Sequence, residues 1–294
     1  MADRRLLLPE VRKAHHRLGR HINHDPRSLA YRVAGTTTPK TVRWERHIPV
    51  FDQGDLGSCT INAGLGALGS GDFFATLPAD VQAKLTGASV QTDLVQPLYR
   101  EETRLDPYAG AWEPDDTGSD GLSSAKTMQK NGWISGYRHI TSLAEFHAGI
   151  QAGPVIIGSS WFSGMDSPDK KGVVNPTGSV RGGHEYEAIG YDVDTDLVEL
   201  VNSWSDSWGY GGHFFYSSKA LTYLLSQQGD ATSFVLNTQP APTPTPTPPA
   251  PADVLASYPR ALVDVFAAHP RGWKNATAAA EALLEFEKVA FPNG

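Results

Sequence analysis

From Pro240 the chain reads Pro-Ala-Pro-Thr-Pro-Thr-Pro-Thr-Pro-Pro-Ala-Pro to residue 251, and no other feature limits the fold as strongly. Proline has no backbone N–H and a fixed φ, so this run supports neither a helix nor a sheet and favours polyproline II. At ~3.1 Å per residue the run spans roughly 37 Å. A compact body therefore ends before it, residues 239–253 act as a spacer, and residues 254–294 form a separate module. That module reads as two short helices. Pro259 suits a first helical turn, and Asn275 caps a second helix with Ala279, Leu283, Phe286 and Ala290 on one face. About forty residues make a poor independent core. Docking on a protein partner, an assembly or a second copy would supply the missing burial.

The 294 residues are 40% apolar and 19% charged, which suits a body with a sizeable core and argues against a disordered chain. The net charge of −7 lacks the clustered cations that nucleic acid demands. Arg4-Arg5-Leu6-Leu7-Leu8 is stopped by Pro9-Glu10, well short of a secretory h-region. No stretch reaches the ~20 apolar residues of a membrane span. With neither a signal peptide nor a transmembrane segment, the expected location is cytoplasmic or virion-associated.

Residues 1–45 are basic and polar and form an N-terminal arm or short pro-like segment. Its histidines, His15, His16, His21 and His24, match no strong ligand spacing and have no cysteine support, so neither a metal nor another cofactor is expected. Residues 46–238 form the α+β body. Ile61, Leu65 and Leu68 recur at helical spacing, whereas Val155 to Ile157, Leu197 to Val201 and His213 to Tyr216 are short strand-like runs.

The single cysteine, Cys59, immediately precedes that helical pattern. A thiol at a helix N-terminus faces unpaired N–H groups and the positive end of the dipole, which favour the reactive thiolate. Gln53, six residues upstream across a glycine-rich turn, can bring its amide toward the sulfur, and with the Cys59 N–H it makes an oxyanion site. A base and an orienting group must come from elsewhere. His184 follows Gly182-Gly183 at the start of a strand. Asn202 follows another strand, and its side-chain oxygen can fix an imidazole tautomer. Trp204 would shield that bond from water.

These residues resemble the papain-like cysteine peptidases. Gln53 and Cys59 stand at the family's Gln, five residues, Cys interval. Asn202-Ser203-Trp204, with Trp208 beyond, resembles its Asn-Ser-Trp motif. His184 falls slightly short of the usual ~130–150-residue distance from the nucleophile, and Asn202 falls within it. Asp120-Gly121-Leu-Ser-Ser-Ala-Lys looks like the family segment that holds the substrate backbone, and Gly153-Pro154-Val155 followed by Phe162 resembles the stretch before the histidine. The resemblance covers roughly residues 46–220. It implies a two-lobed fold with Cys59 on a helical lobe, His184 and Asn202 on a β-rich lobe, and a cleft between them. It also implies catalytic Cys59, His184, Asn202 and Gln53, with Gly121 and Trp204 on the substrate side and a polypeptide as substrate. Thr60 replaces the aromatic residue that usually follows the nucleophile, and Leu56 replaces a disulfide cysteine. No recognisable long inhibitory pro-segment precedes the body, so the sequence does not lead one to expect activation by its removal.

The function that follows is peptide-bond hydrolysis through an acyl-enzyme. Two other readings stay open: an amidase, endopeptidase or transpeptidase acting on cell-wall peptides, and an idle papain-fold protein in a larger assembly such as a phage particle. Gly64-Leu-Gly66-Ala-Leu-Gly69 satisfies G-x-G-x-x-G, but no strand precedes it, so it reads as close helix packing. Glu101-Glu102 and Asp115-Asp116 read as solvated loop acids.

Overall fold

The computed structural model describes residues 17–35 and 37–237. His15, His16, the proline-rich spacer and the helices expected at 254–294 lie outside the described residues. Within the body, β1 (Val42–Arg43) precedes five helices: α1 (Cys59–Leu68), α2 (Phe73–Thr76), α3 (Ala79–Thr86), α4 (Gln96–Leu105) and α5 (Gly121–Lys130). Then come β2 (Ile134–Ile140), α6 (Leu143–Ala152), β3 (Val155–Phe162), β4 (Val180–Asp192), β5 (Leu197–Val201), β6 (His213–Ser217), α7 (Ser218–Ser226) and β7 (Asp230–Leu236). The strands pair antiparallel in the order β2-β7-β3-β4-β5-β6, with β1 added to β4.

Every residue of α1 is buried, so this helix is held by close approach rather than by an amphipathic stripe. A Cβ on Gly64 would overlap Ser124 Oγ of α5, and one on Gly66 would come 2.7 Å from Glu187 of β4. The glycine motif thus serves helix packing. Local signals set the other boundaries. Asp120 caps α5 through Ser123 N–H at 2.8 Å, and Ser142 with Glu145 closes a capping box on α6. Gly153-Pro154 then ends α6, because proline cannot continue a helix, and β3 starts at Val155.

Two apolar cores result. Ile61, Leu65, Leu85, Val95, Tyr99 and Met128 fill the helical lobe. Trp161, Tyr186, Leu200, Trp204, Phe214 and Leu221 fill the sheet lobe. Polar and charged side chains are buried as well. Arg46 pairs with Glu187, Arg20 with Asp230, and Thr60 Oγ1 donates to Glu102 at 3.0 Å.

Two of the acids read as solvated are not. Consecutive helical residues point about 100° apart, so Glu101 faces outward to Lys130 while Glu102 on α4 is fully buried. Burial pushes the Glu102 carboxyl well above its ordinary range. Asp116 accepts from both Gly57 N–H and Tyr99 O–H, at 3.1 and 2.7 Å. No helix among the described residues is long and apolar enough to cross a membrane.

Candidate active site

Cys59 opens α1 and is completely buried. Its sulfur accepts the backbone N–H of Glu185 from β4 and that of Gly19 from the N-terminal arm. Burial pushes the thiol up to about 12, and the charges of Glu185 and Glu102 add to the rise against those two hydrogen bonds. The sequence leads one to expect a thiolate favoured by the helix N-terminus. In this covered geometry desolvation outweighs the helix, and the thiol is neutral.

His184 lies on β4 opposite Ser159 of β3. The β4–β5 register through Glu187 and Val201 carries Asn202, just past β5, to the same end of β4. Asn202 Oδ1 accepts from His184 Nε2 at 2.8 Å and from Ser203 N–H at 2.8 Å. Because a backbone N–H can only donate, Oδ1 is the acceptor, and Nε2 is the ring nitrogen that carries hydrogen. Trp204 stacks on the imidazole with centroids 4.7 Å apart, and Trp161 meets it edge-on at 5.0 Å. These rings leave His184 fully buried.

Gln53 is tied to the same loop. Its N–H donates to Ser203 O at 2.9 Å, and its Oε1 accepts Ser203 Oγ–H at 2.6 Å. That contact turns Nε2 toward Leu56 O at 2.8 Å and Arg17 O at 3.0 Å. Asn202-Ser203 thus orients the histidine with one residue and the glutamine with the next. Ser203 stands in the Asn-Ser-Trp motif of the sequence, but its hold on Gln53 becomes visible only in the fold.

The arm crosses this site. Gly19 O accepts Ser119 N–H at 2.9 Å, His21 N–H donates to Ser119 O at 2.6 Å, and Arg20 N–H donates to Gly183 O at 3.0 Å. Residues 17–21 therefore bond to the helical lobe on one side and to β4 on the other. The slot is narrow. A Cβ on Gly19 would overlap the Gly57 carbonyl, and one on Gly183 would overlap the Arg20 carbonyl. Gly121 begins α5 with its Cα against the Glu185 carboxylate, and the backbone that pairs with the arm belongs to Ser119, two residues earlier. Among the described residues no group of three or more His, Cys, Asp and Glu side chains could hold a metal ion.

No protein-family model matches the chain, and no curated protein matches it by sequence. Solved structures do match. Xylellain, a cysteine protease from Xylella fastidiosa, superposes with a TM-score of 0.54 at 16% identity over 80% of this chain and 98% of its own. Procathepsin L 3 from the larval midgut of Tenebrio molitor gives 0.48 at 18% identity over 70% and 73%. The bromelain protease of Ananas comosus, in complex with the E64 inhibitor, gives 0.44 at 16% over 68% and 100%. With a helical lobe that starts at Cys59 and an antiparallel sheet that carries His184, this chain has the papain-like cysteine protease fold.

Proposed function

We propose that the chain is a cysteine-type peptidase that hydrolyses polypeptides through an acyl-enzyme on Cys59. The observation that carries this reading is the His184–Asn202 bond, which fixes hydrogen on Nε2 and assigns proton exchange with the thiol to Nδ1. Cys59 Sγ bonds to the substrate carbonyl carbon as its proton passes to His184. The C–N bond then breaks, and His184 returns the proton to the departing amine. Water, deprotonated by the same imidazole, attacks the thioester and releases the acid. Gln53 Nε2 and the Cys59 backbone N–H hold the oxyanion. The Arg17 carbonyl on Gln53 Nε2 stands in for the substrate carbonyl at that donor. Turnover requires the arm to leave, which uncovers the sulfur and lets the helix N-terminus favour its thiolate.

The test is hydrolysis of casein and of a peptide library by the full chain and by Cys59→Ala. The expected result is turnover that vanishes in the variant while its circular dichroism stays native. Turnover retained by Cys59→Ala would end the assignment. Complete burial of the thiol favours a second reading, a binding protein that kept the fold without the chemistry. Failure of an epoxide thiol probe to label Cys59 after arm displacement would support that alternative.

A further inference from the structure

On the sheet, Gly158 of β3 is the cross-strand partner of Glu185 on β4 and of Asp230 on β7. One row across three adjacent strands therefore reads acid, glycine, acid, one residue along from His184 and its partner Ser159. Gly158 interrupts a bulky run, Val155-Ile156-Ile157, and the space it leaves is filled by a guanidinium. A Cβ on Gly158 would overlap Glu185, the Arg20 Nε and, at 3.0 Å, Asp230. The occupant is Arg20. One of its terminal nitrogens donates to both Asp230 and Gln228 O, the latter at 3.0 Å, and its Nε lies 3.9 Å from Glu185. The side chain is 1% exposed.

A structural ion pair would explain burial alone, but three features mark a recognition pocket. Arg20 belongs to an extended segment that hydrogen-bonds to Ser119 and Gly183 through its backbone, as a bound peptide does. The neighbouring residue, Gly19, lies on the sulfur of Cys59. Two buried acids facing one arginine are also a weak device for stability, since burying charge costs most of what pairing returns.

We propose that the Glu185–Gly158–Asp230 row is a specificity pocket for an arginine side chain of the substrate, occupied in this structure by Arg20. This rests on the peptidase reading and names its substrate class. A substrate with arginine in the pocket and the next residue's carbonyl at Cys59 carries that arginine second from the scissile bond on the acyl side. The guanidinium sets its Nε beside Glu185 while one terminal nitrogen meets both Asp230 and the Gln228 carbonyl, whereas a lysine ammonium is a single point charge and cannot face the two acids from two fixed nitrogens, so arginine is preferred to lysine.

The experiment uses the full chain with Gly19→Ala, whose Cβ would overlap the Gly57 carbonyl and lift the arm, together with Arg20→Ala, which empties the pocket, and fluorogenic peptides with arginine, lysine, citrulline or norleucine at that position. Arginine is expected to exceed citrulline by about tenfold or more in kcat/KM, and adding Asp230→Asn should abolish the difference. Equal rates for arginine and citrulline, with hydrolysis still dependent on Cys59, would overturn the pocket and leave the peptidase standing. If no peptide is cleaved, the peptidase reading fails, and calorimetric titration of the double variant with the arginine and citrulline peptides decides the pocket by itself. There, a preference of about tenfold supports it and equal affinity overturns it. Should the double variant not fold, Arg20→Gln, which keeps a donor in the cavity, takes the place of Arg20→Ala under the same criteria.

Discussion

Gly19→Ala should turn a dormant thiol into a reactive one. The added Cβ would overlap the Gly57 carbonyl and come 2.7 Å from its Cα. Gly57 cannot yield, because its N–H is held by both oxygens of Asp116 at 3.1 Å, so the arm must lift. The strain is about 1–3 kcal/mol, the usual cost of overpacking. Lifting removes the Gly19 N–H from Sγ, the Arg17 carbonyl from Gln53 and the cover over Cys59. An ordinary cysteine thiol titrates near 9, and burial has pushed this one up to about 12. That rise cuts the thiolate fraction at neutral pH roughly a thousandfold. Since exposure will not be complete, Gly19→Ala should speed alkylation by iodoacetamide by about a hundredfold or more at neutral pH. With one cysteine in the chain, intact mass reports the reaction at a single site. Gly136→Ala, whose Cβ would meet nothing within 4 Å, is the control and should label at the wild-type rate. If Gly19→Ala stays folded yet labels within about threefold of wild type, the arm is not what suppresses the thiol.

Other outcomes follow from neighbouring contacts. Ser203→Ala removes the hydroxyl that turns the Gln53 amide, and kcat for peptide hydrolysis should fall roughly tenfold with KM nearly unchanged. Gly64→Ala forces a methyl onto Ser124 Oγ and to 2.9 Å from Met128 Cε, and thermal unfolding should show a loss of about 1–3 kcal/mol. For Glu199, burial raises the carboxyl, but hydrogen bonds from His213 and Arg43 outweigh it and hold it at about 2. A depressed carboxyl stabilises the fold above its unfolded pKa and loses that contribution as pH falls through the folded value. Urea midpoints should therefore drop between about pH 4.5 and 2 by the equivalent of at most about 3 kcal/mol. Glu199→Gln should be less stable near neutrality and should flatten that part of the profile.

The residues proposed to carry the chemistry were legible because each stands in a local pattern: Cys59 before a helical repeat, His184 after two glycines, Asn202 and Trp204 after a short strand. The β3, β5 and β6 runs were equally plain, being apolar, short and bounded by turns. The partners across the sheet were not. Glu185, Gly158 and Asp230 meet through strand register, and nothing local links positions that far apart in the chain. Glu185 and Glu187 did carry a signal, two acids spaced as neighbours on one face of an otherwise apolar strand, which asks for buried cations. Glu102 was misread because its neighbour Glu101 is solvated, and only the helix turns one of them inward. The course of residues 17–21 was invisible for the same reason as the sheet partners. Backbone bonds to Ser119 and Gly183 combine with side-chain pairs from Arg17 to Asp116 and from Arg20 to Asp230, and partners that far along the chain leave no local pattern to read.

The direction in which the arm runs decides whether it can be a substrate of its own thiol. Attack needs one peptide group with its carbonyl oxygen on the oxyanion donors and its carbon against the sulfur. Here the oxygen on Gln53 Nε2 is that of Arg17, whereas the group on Sγ is the N–H of Gly19. Those atoms belong to different peptide groups, and an N–H offers a nucleophile nothing to attack. The arm runs parallel to the segment at Ser119, and a chain running the other way there would exchange the places of its N–H and C=O groups. Bound this way, the arm crosses the candidate site in an orientation that should escape cleavage. Full-length protein incubated under reducing conditions should therefore keep every bond from Arg17 to His21 intact by mass spectrometry. Scission within that stretch at a rate independent of protein concentration would mean that the arm is presented productively, and the polarity argument would fall. Scission whose rate grows with concentration would be cleavage by a second molecule, acting on an arm that has already left its slot.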